Sequence, residues 1–154
     1  MAFSPEIVVF KVDGARYALW VSAVERIVAM PATRALPGAP DIISGVINNQ
    51  GAIIPVVNLR RRLQLPEKEN GPSDHMVFAR TARRRVALCV DEVLGVESIE
   101  ENQWVDSGEL PPGSQLIAGV VKRPDGMILI QDLDTFLSLD EERALESALA
   151  AVKE

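Results

Sequence analysis

Two carboxylate pairs, Glu100-Glu101 and Asp132/Asp134, come closest to acid–base chemistry in this sequence. General acid–base catalysis needs carboxyls that converge on one reacting group. Adjacent strand residues point to opposite faces, so Glu100 and Glu101 diverge. Asp132 and Asp134 share a face only if their strand runs that far. His75 and Cys89 are the single histidine and single cysteine, and they stand apart with no zinc-ligand or Cys–His spacing. Cys89 lies in the apolar run from Val86 to Val90 and reads as a small buried hydrophobe. No glycine-rich phosphate loop, nucleophile elbow or zinc motif occurs. The chain therefore reads as non-enzymatic, with no catalytic residue, no metal and no cofactor.

Arg60-Arg61-Arg62 and Arg83-Arg84-Arg85 are the densest cationic clusters. Either could meet a phosphate, but adjacent arginines in a helical turn or hairpin more often form a solvated face. Residues 1–72 carry 8 basic and 6 acidic side chains (+2), and residues 73–154 carry 8 and 16 (−8), for a net −6. An acidic chain repels phosphate backbones, which argues against a nucleic-acid partner. The uneven spread of charge reads as solubility rather than a dedicated partner surface. Hydrophobic content of 47% supports a real core. No apolar run approaches ~18 residues, so no direct membrane insertion is expected. The first residues lack a basic stretch before an apolar block, and the lone cysteine fits a reducing cytosol. Trp20 reads as core, while Trp104 is open between core and partner anchor.

An internal repeat organises these residues. GVINNQGAIIPVVNL at 45–59 and GVVKRPDGMILIQDL at 119–133 share a Gly-Val start, a turn with glycine, an apolar run and a final leucine. Each spans 14 positions from glycine to leucine, which we read as a longer second loop offset by a shorter run. Tyr17–Val24 aligns with Val86–Val93, each after an arginine (Arg16, Arg85), and Arg26–Met30 aligns with Gly95–Ile99. Proline-marked loops follow at Leu36-Pro37-Gly38 and Leu110-Pro111-Pro112-Gly113. Each half thus reads strand, short turn, strand, loop, hairpin, short helical tail.

Ile7–Val12 is a β-branched run. Pro55 interrupts its strand, implying an edge or a bulge there. Arg123-Pro124-Asp125-Gly126 has the residues of a tight turn, and Asn48-Asn49-Gln50-Gly51 offers similar chemistry without proline. Ser22 and Asp91 are placed to cap one-turn helices. Ser138-Leu-Asp-Glu141 is a capping box, and Leu145, Leu149 and Val152 form an apolar stripe behind it. Residues 66–75 read as an exposed connector. Leu19, Val21, Ile54, Val57, Leu88, Val90, Leu129 and Leu133 are expected to be largely buried. Short strands in two runs suggest two small β-barrels sharing an apolar seam.

The order Tyr17-Ala-Leu-x-Val-x-x-Val24, then Ile43-x-Gly-Val-Ile-Asn-x-x-Gly-x-Ile-Ile-Pro-Val-Val-x-Leu-Arg60, then Leu116-Ile-x-Gly119 and Gly126-Met-Ile-Leu-Ile-x-Asp-Leu133 resembles the CheW coupling-protein family of bacterial chemosensory systems. The likeness runs from about Ile7 to Leu139. Its motifs are weak singly, and their order and spacing carry it. The resemblance implies an all-β fold with a C-terminal helix: two SH3-like five-stranded barrels around a shared core. Residues 1–154 then form one domain, with a first barrel repeat at 14–68, a second at 76–139 and a helix at 140–153. Strand 7–12 is available to pair with the second barrel. The resemblance also implies an adaptor that binds the regulatory domain of a CheA-type histidine kinase and the cytoplasmic tip of chemoreceptors. Such an adaptor is cytoplasmic and is recruited to arrays beneath the inner membrane.

The family pattern carries over in part. Gly45, Val46, Asn48, Gly51, Leu59 and Arg60 match it. Where the family usually has Leu-Arg, its arginine implicated in receptor contact, this chain has Asn49-Gln50, and Asn58 stands for the usual aspartate. The candidate receptor-binding residues are Val24, Arg26, Gly45, Asn48 and Gln50, and the kinase-facing residues are unassigned. Each candidate has a plainer reading: Val24 as core, Gly45 as a glycine a tight turn needs, and Gln50 as a solvated hairpin tip. The alternative function is a paired small-barrel interaction module outside chemotaxis.

Overall fold

The computed structural model describes residues 5–69, 71, 74–106 and 117–152. The loop at 110–113 lies outside them. Each half begins with a hairpin: β1 (Glu6–Val12) with β2 (Ala15–Trp20), and β6 (His75–Arg80) with β7 (Arg85–Val90). Asp13-Gly14 closes the first at φ 54° and 80°, the left-handed pair that a two-residue hairpin of type I′ requires. Each half continues with a lone strand, β3 (Val24–Ala29) or β8 (Glu92–Ser98), and a second hairpin. These hairpins are β4 (Ile43–Asn49) with β5 (Ala52–Val57), and β10 (Ile117–Arg123) with β11 (Gly126–Gln131). The short β9 (Trp104–Asp106) precedes the latter. The first half ends in α1 (Leu59–Arg62), and the second in a 3-10 turn and α2 (Leu139–Val152).

The strands form a six-stranded sheet, β8-β1-β2-β11-β10-β9, and a five-stranded sheet, β3-β6-β7-β5-β4. These sheets do not follow the division at 14–68 and 76–139. Each half lends its first hairpin to the sheet that the other half completes. The joints are the two parallel pairs, β2 with β11 and β5 with β7. Parallel neighbours need a long crossover connection, so the partner must come from far along the chain. β1 pairs with β8 and so sits in the sheet built mainly by the second half.

Three apolar clusters follow from alternation along these strands. Ile7, Val9, Ala18, Val121, Ile128 and Ile130 fill the six-stranded side. Ile47, Ile54, Val56, Met76, Phe78 and Ala87 fill the five-stranded side. The third and largest lies between them, where Phe10, Tyr17 and Leu19 meet Val57, Val77 and Leu88 under Phe136, Leu145 and Ala148. The architecture is thus two SH3-like subdomains around a shared core, closed by the C-terminal segment. Among the described residues, no helix is long and apolar enough to cross a membrane.

Several local expectations change. Leu19, Ile54, Val57, Leu88, Val90 and Leu133 are buried, but Val21 and Leu129 are only half-buried. Val21 has left the strand for a 3-10 turn. Both second hairpins have two-residue tips, so the equal spacing needs no offset of loop against run. Pro55 lies in an interior strand opposite Val46 of β4, but Val46 exchanges its backbone hydrogen bonds with Arg34, and β5 pairs with β7 only at Val56 and Val57, so no ladder hydrogen bond is demanded of the proline. The bulge in that hairpin is in β4, between Ile43 and Gly45. Ser22 makes no capping bond. The capping box at Ser138 forms, with Glu141 N–H donating to Ser138 Oγ (3.1 Å) and Ser138 N–H to Glu141 Oε1 (2.9 Å). Behind it α2 buries Glu142, Leu145 and Ala148 and leaves Val152 exposed.

The arginine triplets are mostly not a solvated face. Arg62 bonds both carboxylate oxygens of Glu141 at 2.7 Å, and Arg84 bonds Glu142 at 2.9 Å and Glu146 at 3.3 Å, tying α2 to the five-stranded side. Arg60 joins Asp13, in the β1–β2 turn, and Asp91, where the chain passes from β7 of one sheet to β8 of the other. Asp91 therefore serves this ion pair rather than a helix cap. The connector is exposed at Pro66–Glu69, but Asp74 at its end is buried and accepts from Gly71 N–H at 2.8 Å.

Candidate functional site

A groove opens at the mouth of the five-stranded side, lined by Glu25, Arg26, Asn49, Gln50, Ala52, Ile54, Phe78 and Arg85. Its shape begins with a bulge. β3 pairs Val24 with Ala79 and Arg26 with Phe78, so Glu25 is the extra residue. Bulges re-aim side chains. Here one sets the Arg26 guanidinium over the Phe78 ring, 5.8 Å from its centre, and turns Glu25 to Arg85, 3.1 Å away. The far wall is the β4–β5 tip. Gln50 and Gly51 have φ of 54° and 91°, again the type I′ pair, and Asn48 Oδ1 accepts from Gly51 N–H at 2.9 Å. Type I′ tips favour Asn or Asp before glycine. Glutamine in the left-handed region is therefore a strained choice, of the kind that clusters at binding sites.

Of the sequence candidates, the structure brings Arg26 and Gln50 to one concavity, with Asn48 supporting the tip from outside. Val24 is half-buried against the shared core. Gly45 is buried away from the groove: a Cβ there would come within 2.6 Å of the Arg34 carbonyl oxygen, which accepts from Val46 N–H. Close approach of Arg34, not a turn, is why glycine stands at 45. Sequence reasoning missed Glu25, Phe78 and Arg85 as site residues. The available signal was the repeat, which placed a basic residue, Arg16 or Arg85, before each copy of the same strand.

The repeat-related mouth of the six-stranded side is lined by Lys11, Gly14, Ala15, Arg16, Leu94, Asp125, Gly126, Met127 and Leu129. Its bulge is equivalent: Val93 pairs with Phe10 and Gly95 with Val9, leaving Leu94 as the extra residue. Leu94 and Met127 are exposed. Arg16 donates to Asp125 at 3.0 Å and, chiefly through that bond, holds its carboxyl below the usual range. Neither mouth contains a pair of groups set for catalysis. Cys89 is half-buried, 3.7 Å from Met30 Sδ, and burial first, with Asp74 and Asp91 adding, pushes its thiol up to about 11. It is no nucleophile at neutral pH. Among the described residues, no His/Cys/Asp/Glu cluster could hold a metal ion.

Paired barrels with open, non-catalytic mouths define a protein-interaction module, one that presents two related surfaces of different chemistry. Residues 6–141 match the CheW-like domain model, and the chain belongs to that family, whose members are scaffold adaptors rather than enzymes. It is 30% identical over 144 residues to the chemotaxis protein CheW of Bacillus subtilis (strain 168), covering 90% of each chain. It is 31% identical over 132 residues to that of Thermotoga maritima, covering 86% of this chain and 87% of the other. The crystal structure of the scaffolding protein TtCheW from Thermoanaerobacter tengcongensis superposes with a TM-score of 0.81 at 26% identity, over 92% of this chain and 96% of that one.

Proposed function

We propose that this protein is a cytoplasmic adaptor that couples a CheA-type histidine kinase to chemoreceptor tips in arrays beneath the inner membrane. The observation that carries the reading is the family match over residues 6–141 on a paired-barrel fold. The groove holding Arg26 and Gln50 is the receptor-facing surface, and the kinase's regulatory domain, itself a paired barrel, docks elsewhere on the barrels.

Calorimetry with the kinase regulatory domain and with a receptor-tip fragment tests this. Binding of neither at ~100 μM overturns it, since even a millimolar affinity corresponds to about −4 kcal/mol. Gln50 gives the tip a neutral amide where the family has a charged fork. A hydrogen bond to a charged group contributes ~1.5–3 kcal/mol against ~1 for a neutral one. Gln50→Arg should therefore tighten binding to a typical receptor tip from a few-fold to about 30-fold and leave kinase affinity unchanged. Equal receptor affinities would remove residue 50 as a determinant of receptor choice.

A further inference from the structure

Resting on the receptor reading, we infer that Arg26 is the carboxylate anchor of the groove, and that it selects a receptor tip whose helix presents an acidic side chain beside an apolar one. The two bulges carry the argument. Both halves place one at the same point, but the residue beyond it is Arg26 over Phe78 in one and Gly95 opposite Val9 in the other. The framework is shared, and a cation just beyond the bulge belongs to the five-stranded mouth alone.

The groove's two guanidinium groups are not equivalent. Arg85 already meets Glu25 at 3.1 Å. Arg26 meets the Phe78 ring, and among the described residues no carboxylate pairs with it. An aromatic face holds a guanidinium without using its N–H donors, so Arg26 keeps a bidentate fork for a planar anion. Phe78 is 5% exposed, so this support is part of the fold rather than a mobile surface ring. Across the groove Gln50 offers an amide donor from the tip, and Ala52 and Ile54 supply an apolar floor. An acidic residue on a docked helix finds a charge-assisted pair with Arg26, a second donor in Gln50, and a place for its apolar neighbour on the floor. An amide in the acid's place leaves a guanidinium desolvated without a counter-charge. The missing tip arginine is in this way offset by a cation on β3.

The test is a double-mutant cycle by calorimetry. A helical-hairpin fragment of a chemoreceptor tip is titrated against the full chain, alongside a series of the same fragment with each surface Glu changed to Gln. Arg26→Gln should weaken tip binding about tenfold or more, and one Glu→Gln tip should show the same loss. Joining the two changes should add little further loss, because the partner of each is already gone. Arg26→Lys should restore only part, having the charge without the fork. Arg26 is exposed, so an unchanged melt and unchanged binding of the kinase domain serve as fold controls. Wild-type tip binding with Arg26→Gln inside two-fold of it overturns the anchor and leaves the receptor reading standing. Wild-type binding to the kinase domain but to no tip overturns the receptor reading and the anchor with it.

Discussion

The mouths of the two subdomains are built on the same strands, bulge and two-residue hairpin tip, and they differ in what they display. The five-stranded side shows Arg26, Gln50 and a Glu25–Arg85 pair. The six-stranded side shows Leu94 and Met127 around an Arg16–Asp125 pair. Even the shared glycines serve different neighbours: Gly45 lies under the Arg34 carbonyl, and Gly119 under Trp104, which tilts against Trp20 at 5.3 Å. Duplication fixed the backbone, because alternation and turn geometry leave it little freedom. Side chains at the rim bear none of that constraint and could diverge. That suits a scaffold adaptor.

The largest expected effect breaks the symmetry at its root. If each half owned its barrel, residues 76–154 expressed alone would melt cooperatively. Because β6 and β7 complete the other half's sheet, we expect no cooperative transition and loss of the full stability, of order 5–15 kcal/mol. A transition like the full chain's would overturn the exchange of hairpins.

The glycines come next. Gly45→Ala drives a Cβ against backbone and should cost about 1–3 kcal/mol by denaturant melt, with no side-chain change that relieves it. A Cβ at Gly119 would overlap the end of the Trp104 ring, a side chain that can move. Gly119→Ala should therefore be largely rescued by Trp104→Ala, and failure of that rescue would show that the backbone, not the indole, demands glycine there.

A smaller effect concerns the strained tip. Gln50→Gly removes a left-handed non-glycine residue and should stabilise the fold by roughly 0.5–1 kcal/mol while weakening receptor binding. At the other tip, the two central residues are Pro124 and Asp125, and neither is among the non-glycine residues with positive φ. A glycine at Asp125 should bring no such gain. Equal responses at both tips would mean that the effect does not come from strain at Gln50.

The smallest effect separates the two tails. Arg62, after β5, pairs with Glu141 at the start of α2. Burial pushes the Glu141 carboxyl up, but hydrogen bonds from Ser138 and the Arg62 guanidinium outweigh it and hold it below its usual value. A depressed folded-state value means stabilisation present above the unfolded pKa and lost as pH falls through the folded one. Thermal melts should show α2 loosening in that acid range, and Glu141→Gln should flatten the dependence there. An unchanged pH profile would remove this pair from the docking of α2.

The repeat, the strand order, the tight turns and the capping box at Ser138 are legible in the amino-acid sequence by itself. They are written in local chemistry, since side-chain period and φ preference act over a few residues. Arg26 and Gln50 are legible as candidates through the family pattern. Other features are decided only in three dimensions. The exchange of hairpins rests on parallel pairings that join distant strands, and no local period distinguishes one distant partner from another. Arg62 and Glu141 stand 79 positions apart, and Arg84 and Glu142 58, so an arginine cluster that looks solvated in sequence becomes a clamp on α2. Gly45 and Gly119 look alike because both lack a side chain, and only packing reveals that one yields to a carbonyl and the other to an indole. The groove itself forms because a one-residue bulge in β3 turns Arg26 onto Phe78. A bulge depends on the register between two strands, and register is settled by the whole sheet.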